Sequence, residues 1–107
     1  MLIWIIIRRL DCKGPIIQTF LDKGLAELFE SGETSKINKI YHLRLLERLS
    51  ALDAAPAVSD MNVPGWQFHA LSGFKPTRYS VHVNGPRCLT FEFDMGHAYR
   101  VDFVQYH

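Results

Sequence analysis

The chain has 107 residues, 48% of them hydrophobic and 21% charged, which specifies one globular domain with a single modest core and excludes disorder. Its formal net charge of +1 excludes general attraction to nucleic acid and leaves only a local basic patch for such a role. Its two cysteines, Cys12 and Cys88, are far apart without metal-type spacing, which fits a reduced intracellular compartment and leaves a single disulfide as the alternative.

Met1 to Ile7 is strongly apolar and is followed by Arg8-Arg9. The run falls far short of the roughly 18 residues of a membrane span. It also lacks the basic leader and small-residue cleavage site of a signal peptide. It reads as an extra edge strand or as residues added by an upstream start codon, with no membrane role. Gly14-Pro15 breaks the run, and Ile16 to Phe20 then reads as the first strand of the domain.

Leu21 to Ser31 carries Leu25, Leu28 and Phe29 at helical spacing and stops at Gly32, a residue suited to a left-handed cap. The spacing predicts a second helix from about Lys36 to Ala54, with an apolar stripe of Ile37, Tyr41, Leu45, Leu49 and Leu52. Lys36, Lys39, Arg44, Glu47 and Arg48 fill the other side, a solvated face, and His42 reads as a surface histidine. Ala55 to Pro64 is a loop. Trp66 to Leu71 alternates as a strand, with Trp66, Phe68 and Ala70 one way and Gln67, His69 and Leu71 the other. Ser72 to Thr77 is a turn carrying Lys75.

The last third, Tyr79 to His107, holds three alternating runs separated by glycine-bearing turns, an antiparallel meander. A two-residue Asn84-Gly85 turn would put Leu89 and Phe91 on one face with Ser80 and His82. A bulged connection instead pairs Val83 with Arg87, Val81 with Leu89 and Tyr79 with Phe91, which gathers the large apolar groups. The same reasoning pairs Phe93 with Tyr99 and Phe91 with Val101. His82, Cys88, Thr90, Glu92, Arg100, Asp102 and Tyr106 then share the polar face. The whole is an α+β architecture: two N-terminal helices packed on a mostly antiparallel sheet of about four to five strands.

From about Ile16 onward the chain resembles HigB-type toxins of the RelE/ParE superfamily. The likeness runs through KGLAELFESG, the RL..LDAA pattern of Arg48 to Ala55, PGWQFHALSG, SVHVNG, LTFEF and the terminal QYH. It covers residues 16–107 as one toxin domain and leaves residues 1–15 as an N-terminal extension. The resemblance implies a RelE-like fold and a toxin that cuts mRNA on the ribosome, in the cytoplasm and without a metal or other cofactor. It also implies a helix-turn-helix antitoxin of the HigA kind, with operator DNA contacted only through that antitoxin. In such toxins the cleavage site uses a histidine and lysine of an H-P-L-K-G segment, an arginine of W-R-L-T-F and a terminal D-Y-H. The histidine here is His69, and the terminal pair is Tyr106 and His107. Ser72 stands where the lysine belongs, Cys88 where the arginine belongs and Gln105 where the aspartate belongs.

Metal-free cleavage needs a base for the 2′-hydroxyl proton, an acid for the leaving 5′-oxygen and cations for the phosphorane. His69 and His107 suit the proton transfers because imidazole titrates near neutrality. Tyr106 suits a hydrogen bond or a base stack. Lys75, Arg78 and Arg87 lie near the vacated cation positions and are the candidate phosphate-binding residues. Three simpler assignments apply to other polar residues: His82 and Cys88 as cross-strand neighbours rather than a nucleophilic pair, no zinc site for want of a recognised spacing, and Glu92 opposite Arg100 as a surface pair. Two alternatives stay open, a toxin of this fold that acts by binding, as in gyrase inhibition, and an impaired toxin retained as an antitoxin partner.

Overall fold

The computed structural model describes residues 16–105. Helix α1 spans Lys23–Ser31 and helix α2 spans His42–Ala54, with 3-10 turns at Lys39–Tyr41 and Val58–Met61. Strands β1 (His69–Leu71), β2 (Arg78–Asn84), β3 (Arg87–Asp94) and β4 (His97–Gln105) follow as an antiparallel sheet in the order β1-β2-β3-β4. Leu25 and Leu28 of α1 and Leu45, Leu49 and Leu52 of α2 pack with Val81, Val83, Leu89, Phe91, Ala98 and Val101 from the sheet. Both helices therefore cover one sheet face, as expected for an α+β domain.

Local chemistry sets the helix ends. The Asp22 carboxylate accepts from the Gly24 and Leu25 amides at 2.7 and 3.2 Å, capping α1, and Gly32 closes it in the left-handed region at φ 87°. The second helix begins at His42 rather than Lys36. Asn38 is extended, at ψ 135°, and its side chain accepts from the Ile40 amide, so the chain enters through a 3-10 turn. Ile37 is buried as predicted, but from an irregular segment. A Cβ on Gly24 would stand 3.0 Å from its Cγ1, so glycine is what lets that segment approach α1.

Arg48 departs from the expected solvated face. It is buried, its Nε donates to the His82 carbonyl at 2.7 Å, and its guanidinium lies 4.7 Å over the Trp66 ring. Burial holds its pKa below the usual arginine value, and Glu47 acts against that shift. His42 is half-buried, with Nε2 2.8 Å from the Ile37 carbonyl oxygen.

Ile16 to Phe20 is not a continuous strand. It meets β4 through two isolated parallel bridges, Ile17 to Ala98 and Phe20 to Val101. The Ile16 and Ile17 amides both donate to Asp53 Oδ1 at 3.0 Å, anchoring the segment on α2. The expected strand from Trp66 is also shorter. Gln67 takes a positive φ of 52°, which breaks the alternation and delays β1 to His69.

In the first hairpin, Val81 pairs with Leu89 and Tyr79 with Phe91, and the register shifts between His82 and Asn84. The bulge was expected, but Asn84 rather than Val83 faces Arg87. In the second hairpin Phe93 pairs with Ala98 and Glu92 with Tyr99, not Phe93 with Tyr99. A bulge opposite Phe91 then shifts the register, so that Thr90 meets Asp102 and Leu89 meets Phe103. Arg100 sits in that bulge at φ 52°, its amide donating to Thr19 Oγ1 at 2.7 Å.

Candidate active site on the polar sheet face

Cross-strand partners share a face, so the register draws His69, Ser80, Thr90 and Asp102 into one row across all four strands. The row is more closed than alternation suggests: Ser80 is 0% and Thr90 1% exposed. The Ser80 hydroxyl, between His69 and Thr90, has no hydrogen-bond partner among the described residues. Beside the row lies a cleft of about 480 Å³. Its floor is Arg78, Thr90, Glu92, Arg100 and Asp102, and the turn after β1 supplies a wall of Phe74 and Lys75.

Arg78 is held at the cleft floor by three groups. Its guanidinium donates to Glu92 Oε2 at 3.0 Å, to Thr90 Oγ1 at 2.9 Å and to the Arg100 carbonyl at 2.9 Å. The Arg78 and Glu92 side chains are 11% and 13% exposed. Glu92 is thus the hub of a largely buried network rather than half of a surface pair. It faces Tyr99 across the strands and reaches Arg100 Nε at 3.3 Å.

His69 is exposed at the start of β1, with Nδ1 2.8 Å from the Gln67 carbonyl oxygen. A carbonyl only accepts, so Nδ1 is the donor in this contact and Nε2 is the ring nitrogen left for proton transfer. The positive φ of Gln67 belongs to the local conformation that presents this carbonyl. Lys75 is exposed in the cleft wall and has no ion-pair partner among the described residues.

Arg87 is on the other side of the sheet. Its guanidinium lies 5.3 Å from the Tyr41 ring centroid and 5.4 Å from that of Phe103, in a separate hollow with Asp22 and Asn38. The structure therefore brings Lys75 and Arg78 together and leaves Arg87 apart from them. His82 and Cys88 are cross-strand neighbours, but His82 Nε2 lies 3.0 Å from the Gly85 carbonyl oxygen. Tyr106 and His107 lie outside the described residues.

Of the departures noted in the sequence, Cys88 faces the cleft side, opposite His82 and Val104. Gln105 pairs with Arg87 and so points away from the cleft. Ser72 is exposed in the turn after β1. Phe74, Arg100 and Asp102 also line the cleft, and no motif in the sequence marks them as site residues. Alternation had put Arg100 and Asp102 on the right face, and only the bulge and turn brought them to one cleft with Phe74.

A helix-covered antiparallel meander with a cation-lined cleft on its opposite face defines a small RelE-like domain. The family of RelE-like toxins of the type II toxin–antitoxin system HigB matches residues 18–107, and the chain belongs to it. Endoribonuclease HigB of Proteus vulgaris is 34% identical over 92 residues, which span 86% of this chain and 100% of that protein. No helix among the described residues is long and apolar enough to cross a membrane.

Proposed function

We propose that this chain is a cytoplasmic toxin that cleaves mRNA on the ribosome as a metal-independent endoribonuclease, silenced by a HigA-like helix-turn-helix antitoxin. Operator DNA is reached only through that antitoxin. Residues 16–107 form the toxin domain, with both helices ahead of the sheet as in a RelE-like fold. The observation that carries the reading is the exposed His69 imidazole, whose Nδ1 donates to the Gln67 carbonyl and leaves Nε2 to face a substrate.

In this reading His69 Nε2 takes the 2′-hydroxyl proton, and the 2′-oxygen attacks the adjacent phosphorus. His107 gives a proton to the departing 5′-oxygen. Tyr106 donates to a phosphate oxygen or stacks on a base. Lys75 offsets the charge of the phosphorane, and Arg78 holds the floor beneath it. Arg87, on the far side, contacts RNA or ribosome outside the cleft.

Expression without the antitoxin, followed by primer extension on ribosome-bound message, tests this. Cuts in frame with codons that vanish in His69→Ala and His107→Ala support it. Growth arrest with intact message and inhibited gyrase refutes it in favour of a binding toxin.

A further inference from the structure

One cleft wall does not fit a purely electrostatic site. Phe74 is 47% exposed beside Lys75 and lines the same cleft as Arg100. Leaving a large ring in water forgoes its burial, and within a charged cleft it offers a flat face for stacking.

Arg100 differs from Arg78 in its freedom. Its backbone is held at both ends, by Thr19 Oγ1 on its amide and by the Arg78 guanidinium on its carbonyl. Its side chain touches Glu92 through Nε at 3.3 Å yet remains 60% exposed. A fixed backbone with an exposed guanidinium is a pre-positioned phosphate ligand. Asp102 in the same cleft opposes a second phosphate, so the cleft suits one nucleotide rather than a run of backbone.

We propose that Phe74 and Arg100 form a single-nucleotide subsite, Phe74 stacking one RNA base and Arg100 holding its phosphate. The subsite sets base preference next to the cut and rests on the nuclease reading above. A protein partner inserting an aromatic side chain here is the competing occupant.

The test uses the full chain and a labelled 2′-O-methyl RNA hexamer, which has no 2′-hydroxyl to attack with, followed by fluorescence anisotropy at low salt. An abasic residue is walked through the probe. In wild type, one position should weaken binding by about tenfold when abasic, the scale of one base stacked on an aromatic ring. In Phe74→Ala that penalty should vanish, while Phe74→Trp retains it. Arg100→Gln should lower the slope of log affinity against log salt by about one phosphate contact. Message cleavage on programmed ribosomes is followed in parallel.

A protein that cuts message but shows the same abasic penalty in wild type and Phe74→Ala overturns the subsite and leaves the nuclease reading intact. One that shows the Phe74-dependent penalty but leaves message whole retains the subsite and overturns the nuclease reading. No measurable binding of the probe, or a Phe74→Ala defect confined to antitoxin binding, overturns the subsite.

Discussion

Arg78→Ala should damage the fold of the cleft before it reports anything about phosphate binding. The guanidinium has three protein partners, and the ion pair it forms with Glu92 is largely buried. Removing one partner of such a pair costs about 3–5 kcal/mol, because the remaining charge stays buried without its counter-ion. Arg100 Nε stays near Glu92 and softens that loss, so the expected cost is at the low end, about 3 kcal/mol. At about 4–8 °C per kcal/mol for a domain of this size, Tm should fall by roughly 12–24 °C.

The double variant Arg78→Met with Glu92→Leu removes both charges and should recover most of that stability, because an apolar replacement of a buried pair is often neutral. Thermal and urea unfolding of the full chain measure both variants. If Arg78→Ala unfolds at the wild-type midpoint while cleavage on ribosomes collapses, Arg78 is a phosphate ligand and its role as a structural prop is wrong.

Lys75→Ala should lower single-turnover cleavage on programmed ribosomes by about a hundredfold or more, and Ser72→Lys in that background should restore part of it. Wild-type cleavage by Lys75→Ala alongside a dead His107→Ala would make Lys75 a solvated turn residue. A chain in which an initiating Met replaces residues 1–15 should still unfold cooperatively and bind the antitoxin, since the amides of Ile16 and Ile17 can still donate to Asp53; loss of cooperativity would show that residues 1–15 belong to the core. The Glu27 carboxyl is held below its usual 4.5, first by its hydrogen bond to Lys36 and then by Thr34. Its folded pKa is the depressed one, so the stability it adds is present above the unfolded value and is lost as pH falls through the folded value. Lys36→Met should therefore flatten the acid limb of stability below about pH 4.5, and an unchanged limb by urea titration would count against the contact.

The chain's periodicities determined the α+β order, the left-handed cap at Gly32, the inward stripe of Leu45, Leu49 and Leu52, and the Val81–Leu89 and Tyr79–Phe91 pairs. These are local or near-local consequences of burying apolar side chains at period 3.6 or 2. His69 was legible only through its motif, because nothing in the alternation distinguishes it from another edge histidine. Tertiary structure decided the rest. The bulge at Arg100 arises where β4 is bonded on one side to β3 and on the other to Thr19, a contact between residues 81 apart in the chain. Arg48 left the solvated face because the Trp66 ring and the His82 carbonyl arrive from elsewhere to receive it. The cleft exists because a turn, a bulge and a strand interior converge, and Arg78 is fixed there by partners 12, 14 and 22 residues away. Sequence periodicity records which side of an element faces the core. It carries no record of which distant polar groups meet once the core has closed.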